Sequence, residues 1–191
     1  MEPDILELVE PFDLSDKVSV LTLLGKARHG ADIVLGIESD DETLTAAQRL
    51  VEEYGLFLYR NGGRILFSDD ADWLRRRVER KMSAGEFFGY PRCCVEGSTR
   101  YARGHIDDVG CEYVGYGERY LLDALFALRN HRYPAALDYR LHVPCDVRCI
   151  ESIAMGKRIK AVLESFDKGI ARQWKRRHRG MLERRLENCE T

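Results

Sequence analysis

The apolar positions of the first seventy residues change period several times, and each change predicts an element. Ile5, Leu6, Leu8 and Val9 predict a short helix that Pro11 ends, because proline disfavours helical backbone in the residue before it. Val18, Leu21 and Leu24 recur at helical spacing behind a cap at Ser15 or Asp16, with Gly25 or Gly30 near the end. Ala31 to Ile37 reads as a buried strand. From Asp40 or Asp41 onward Leu44, Ala47, Leu50, Val51 and Tyr54 share one helical face, and Gly55 closes that helix. Leu56 to Tyr59 and Ile65 to Phe67 flank Asn61-Gly62-Gly63, a sequence that reaches positive φ at little cost and so predicts a β-hairpin.

Beyond residue 70 the helical period dominates. Asp69 or Asp70 caps a helix with Leu74, Val78 and Met82 inward and Arg75, Arg76, Arg77, Arg80 and Lys81 largely outward. Ser83-Ala84-Gly85-Glu86 has the spacing of a capping box, and Pro91 suits the first turn of a further helix, which puts Cys93 and Cys94 at a helix start. Glycine-dotted residues 104–116 read as a loop. Leu121, Leu122, Leu125 and Leu128 predict a helix that stops by Pro134. Pro144 is expected to open a long helix through Val147, Ile150, Ile153, Val162 and Phe166, broken at Gly169, before a last helix with Ile170, Trp174, Leu182 and Leu186 inward. The fold class that follows is α+β: a small sheet of about three strands and a predominantly helical C-terminal half. Without a repeat or an interdomain linker, residues 1–191 are expected to form a single domain, with 1–70 containing the sheet and 71–191 the helices and cysteine motifs.

Composition narrows this only a little. A chain of 191 residues, 45% hydrophobic and 32% charged, is ordinary for a soluble globular protein. No stretch approaches the roughly 18 apolar residues of a membrane span, and the acidic start Met1-Glu2-Pro3-Asp4 is unlike a secretory n-region, so a cytoplasmic location is expected. The formal net charge of −2 hides an asymmetry. Residues 1–55 carry thirteen acids against four Lys/Arg (−9), and residues 156–191 carry eleven Lys/Arg against five acids (+6). Lys175, Arg176, Arg177 and Arg179 make the last helix a candidate nucleic-acid contact, to which the Arg75–Lys81 cluster would add, because Lys/Arg contacts to phosphate supply affinity independent of sequence. Against this stands a solvated helix face.

The chemistry concentrates in two segments about fifty residues apart, Gly89-Tyr90-Pro91-Arg92-Cys93-Cys94 and His142-Val143-Pro144-Cys145-Asp146-Val147-Arg148-Cys149. They hold four of the six cysteines; Cys111 is expected to be a buried small residue and Cys189 a tail thiol. In a reducing compartment paired cysteines point to metal or redox chemistry rather than to a disulfide framework. Cys145 and Cys149, four apart on the expected helix, would present both sulfurs on one face. Cys93 and Cys94 point about 100° apart and converge only on a first turn. Four sulfurs from Cys93, Cys94, Cys145 and Cys149 would suit an iron-sulfur cluster or an all-thiolate zinc site, with His142 as alternative ligand or acid/base. The spacing matches neither paired zinc knuckles nor a ferredoxin run. A metal-free thiol oxidoreductase or redox sensor, and plain core packing, therefore stay open beside the metal. Glu86 and Glu96 flank the first pair as bases beside a metal-bound water, although Glu86 is better placed as a cap. Asp138, Tyr139 and Arg148 lie near the second pair and are expected to be surface or salt-bridged residues. No P-loop, H-E-x-x-H or G-x-S-x-G is present.

The two motifs, Gly89-Tyr90-Pro91-Arg92-Cys93-Cys94-Val95 and His142 to Cys149, resemble those of an uncharacterised prokaryotic family, domain of unknown function 483. The resemblance implies that Cys93, Cys94, His142, Cys145 and Cys149 are family motif positions, and it implies no activity, substrate or cofactor.

Overall fold

The computed structural model describes residues 4–35, 41–103, 120 and 123–189. The helices are α1 (Ile5–Leu8), α2 (Leu14–Leu24), α3 (Asp41–Tyr54), α4 (Ala71–Val78), α5 (Ala84–Phe87), α6 (Arg92–Arg103), α7 (123–129), α8 (Ile150–Phe166) and α9 (Lys168–Cys189). Three strands, β1 (Gly30–Val34), β2 (Phe57–Asn61) and β3 (Arg64–Ser68), form an antiparallel sheet in the order β1-β3-β2. The α+β reading with a helical C-terminal half holds. Two compact units are formed, Met1–Gly89 with Val162–Ile170, and Tyr90–Ala161 with Ala171–Thr191.

The sheet sits in the first unit. The expected hairpin joins β2 to β3, with Phe57 opposite Ser68 and Asn61 opposite Arg64, and Gly62 takes the positive φ of 56° that the turn demands. Alternation along central β3 divides the sheet faces. Ile65 and Phe67 join Ala31 and Ile33 of β1 under Leu8, Val20, Leu23, Ala47 and Leu50 from α1–α3, whereas Leu66 packs with Leu74, Trp73, Val78 and Phe87. Gly30 lies under the Phe87 ring, where a Cβ would stand 2.4 Å from Cε1.

Several boundaries differ from expectation. Asp13, rather than Ser15 or Asp16, caps α2, accepting from the Asp16 N–H at 2.9 Å. Asp16 instead accepts from the Val34 N–H at 3.3 Å, tying α2 to β1. The strand expected over Ala31–Ile37 ends at Val34, and Ile37 lies outside the described residues. Pro91 precedes α6 rather than opening it, and its carbonyl accepts from Cys94 and Val95. The long helix expected from Pro144 begins only at Ile150, because Asp146 spends the local hydrogen bonds in a turn. Its carboxylate accepts from Arg148 N–H at 2.6 Å and its carbonyl from Cys149 N–H at 3.0 Å. The break before the last helix falls at Asp167, whose carboxylate caps Gly169 and Ile170, and not at Gly169. The loop expected over 104–116, Cys111, and Leu121 and Leu122 lie outside the described residues.

Asp16 yields a prediction for the sheet-bearing unit. Burial, reinforced by the Asp13 charge, pushes its carboxyl up to about 7. Between about pH 4, where the carboxyl ionises in the unfolded chain, and pH 7 the native state binds the extra proton, so stability falls as pH rises across that window. Asp16→Asn is expected to flatten that decline in urea melts taken at pH 4.5, 6 and 7.5. An unchanged slope in the variant would assign it to another group.

Candidate metal centre

The second unit carries the four motif cysteines, three of them at helix starts. Cys93 and Cys94 occupy the first turn of α6, behind Pro91, and both sulfurs converge there despite being adjacent in sequence, 3.8 Å apart. Cys149 precedes α8, and its carbonyl accepts from Ile153 N–H at 3.0 Å. Its sulfur takes the part of an N-cap oxygen, with Ser152 N–H aimed at it at 3.5 Å. Cys145 lies in the turn before it, so Cys145 and Cys149 do not share a helix face as the spacing predicted. A turn brings them together instead.

The four sulfurs lie within 4.8 Å of one another. Cys93 and Cys149 are 3.6 Å apart, and Cys94 and Cys149 3.8 Å. Cys94 and Cys149 are buried, Cys93 is half-buried and Cys145 is exposed. The buried half is lined with donors. Cys145 N–H points at the Cys94 sulfur at 3.3 Å, and the Ser152 hydroxyl lies 3.1 Å from the same atom. Glu151 brings its carboxylate to the open half, 3.5 Å from Cys149 and 3.8 Å from Cys93.

Four thiols this close cannot all ionise unaided. Burial, then interaction with Cys149, pushes Cys93 up, and burial also raises Cys94. Desolvation of its sulfur and the neighbouring Cys94 push Cys145 up to about 12, although the residue as a whole is exposed. Only Cys149 is lowered: burial opposes its ionisation, but the Ser152 hydroxyl and N–H outweigh that. A divalent cation at the centre of the four would remove the mutual repulsion that holds the others protonated.

His142 does not join the sulfur group. It stacks on Tyr90, ring centroids 4.9 Å apart, and its Nε2 lies 2.9 Å from the Ser152 hydroxyl, one step behind Cys94. Tyr90 in turn donates to the Leu141 carbonyl at 2.7 Å, fixing the approach to the second motif. Glu86 is the capping-box residue of α5, accepting from Ser83 N–H at 2.8 Å. Glu96 pairs with Arg92 at 2.6 Å on the exposed side of α6. Arg148 is exposed and Asp138 is salt-bridged, to Arg179, both within expectation, although Asp138 is buried; Tyr139 is buried against expectation. Ser152 and Glu151 went unread in the sequence. The signal for Ser152 was its place three residues after Cys149, the position whose N–H an N-cap atom accepts.

Compared with family models, with curated proteins and with solved structures, the chain finds no significant match. The geometry therefore stands by itself. It brings four cysteines close enough to hold a metal ion. No helix among the described residues is long and apolar enough to cross a membrane.

Proposed function

We propose that Cys93, Cys94, Cys145 and Cys149 hold one zinc ion, and that the metal ties the start of α6 to the start of α8. The observation that carries this is the sulfur spacing. A tetrahedron with Zn–S bonds of about 2.3 Å has edges of about 3.8 Å, against 3.6 to 3.8 Å for the three pairs of Cys93, Cys94 and Cys149. In a four-iron cluster each thiolate binds a different iron, so the sulfurs must stand wider apart to enclose the cube. Four protein thiolates also fill the coordination shell, which is the mark of a structural rather than a catalytic zinc. In this reading Ser152 and the Cys145 N–H orient the buried thiolates, and His142 positions Ser152 from behind. The same reading gives a metal role to the motifs through which the chain resembles domain of unknown function 483.

Metal analysis of protein purified without oxygen is expected to find one zinc per chain. Cobalt substitution should produce the visible bands of a tetrahedral thiolate site. Iron with a broad visible absorbance would replace zinc by a cluster, and a metal-free protein with a fast-reacting Cys149 would favour thiol redox chemistry.

A second reading, contact with nucleic acid, is favoured by one observation: Arg172, Lys175, Arg176 and Arg179 line one side of α9.

A further inference from the structure

Resting on that second reading, we propose that one face of α9 is a phosphate-binding site for a nucleic-acid strand, built from Arg172, Lys175, Arg176 and Arg179. These residues, with Gly180 and Glu183, line an open depression of about 410 Å³. Their spacing of three and four residues sets them on one helical face. From residue 172 to residue 179 the helix rises about 10 Å, room for two successive backbone phosphates. Lys175 and Arg176 are exposed, so their charge is available to a polyanion without a burial cost.

Arg179 gives the site a fixed element. Its Nε and Nη2 donate to one carboxylate oxygen of Asp138 at 3.3 and 3.2 Å, and its guanidinium lies 5.1 Å from the centre of the Tyr133 ring. Asp138 is wholly buried, so the pair anchors the guanidinium from the protein side. An arginine held this way is preorganised for phosphate, since little rotamer freedom remains to be lost on binding.

The same reasoning removes residues the charge pattern had included. Arg177 lies over Trp174, 5.8 Å from its ring centre, and does not line the depression. The α4 cluster is engaged locally: Arg75 pairs with Asp72, Arg76 lies over Trp73, Arg77 donates to the Met82 carbonyl and Lys81 pairs with Glu79.

The test uses the full, metal-loaded chain and a labelled twelve-residue oligouridylate, followed by fluorescence anisotropy from 20 to 200 mM salt. Two phosphates neutralised on a single strand predict a log–log salt slope of about −1.4. Lys175→Glu and Arg176→Glu are each expected to weaken binding at least tenfold, while Arg177→Glu and Arg76→Glu stay within about twofold. Inorganic tripolyphosphate should compete only weakly; competition equal to that of the oligomer would overturn the strand in favour of a small polyphosphate. Binding that survives both α9 variants would overturn this site while leaving nucleic-acid contact standing. Absence of binding at 20 mM salt would remove both.

Discussion

If the four cysteines hold zinc as proposed, stripping it is expected to unfold the cysteine-bearing unit and leave the three-stranded sheet protected. Structural zinc binds with an apparent free energy of about 10–16 kcal/mol in small peptides, as large as the whole folding stability of a typical domain, about 5–15 kcal/mol. The cluster of Tyr120, Ala124, Leu125, Leu137, Val147 and Leu182 must otherwise hold that unit. The sheet has its own core of Leu8, Leu23, Ile33, Leu50, Ile65 and Phe67, to which no cysteine contributes. Hydrogen exchange after treatment with a strong chelator should therefore show loss of protection in α6 and in residues 141–153, with β1–β3 unchanged. Single substitutions should rank by burial. Cys94→Ser and Cys149→Ser remove sulfurs that are inside and hydrogen-bonded, so they should resemble the chelated protein. Cys145→Ser, at the exposed corner, should retain the fold and bind metal more weakly. Chelated protein with the exchange pattern of the native one would mean that these sulfurs pack together without a metal.

What could be read in advance and what could not divides along the range of the interactions. The hairpin around Asn61-Gly62-Gly63, the apolar face of α3 and the Ser83–Glu86 capping box are set by residues within a few positions of one another, and each was predictable. The Pro144 helix was misplaced for a reason equally local. Proline at a helix start is permitted, but Asp146 offers its carboxylate to the chain two residues on and holds it in a turn instead. The sulfur cluster was legible as residue identities and not as geometry. Its convergence depends on Cys93 and Cys94 falling on a first turn, and on Cys149 acting as a cap. Ser152, Glu151 and the stacking of Tyr90 on His142 need the two motifs face to face, fifty residues apart, and no periodicity reports that. Asp138 is expected from sequence to be a surface or salt-bridged residue, and nothing in its own neighbourhood shows that its partner is Arg179 or that Asp138 itself is buried.

Gly156→Ala should destabilise the protein by about 3 kcal/mol and lower its melting temperature by roughly 10 °C, the upper end of overpacking costs in a chain of this size. Propensity argues the other way, since alanine in place of glycine inside a helix ordinarily gains about 1 kcal/mol. The packing of α8 decides the sign. A Cβ at Gly156 would stand 2.1 Å from the carbonyl oxygen of Ala136 and 2.9 Å from its carbon, and those are backbone atoms that no rotamer change can move aside. Met155 and Ile159 on either side are fully buried, so the helix cannot simply rotate away. Relief must come from the 3₁₀ turn Ala135–Tyr139, which carries buried Leu137 and Asp138 and leads into His142. Pushing that turn outward would loosen the Asp138–Arg179 pair and the approach to Cys145 together, so metal affinity should fall along with stability. Gly180→Ala separates this clash from helix propensity, because its Cβ would meet only the mobile end of Arg184 at 3.3 Å, and it should be neutral or stabilising. If Gly156→Ala melted no lower than Gly180→Ala, the close approach of α8 to that turn would not be what seats the second motif.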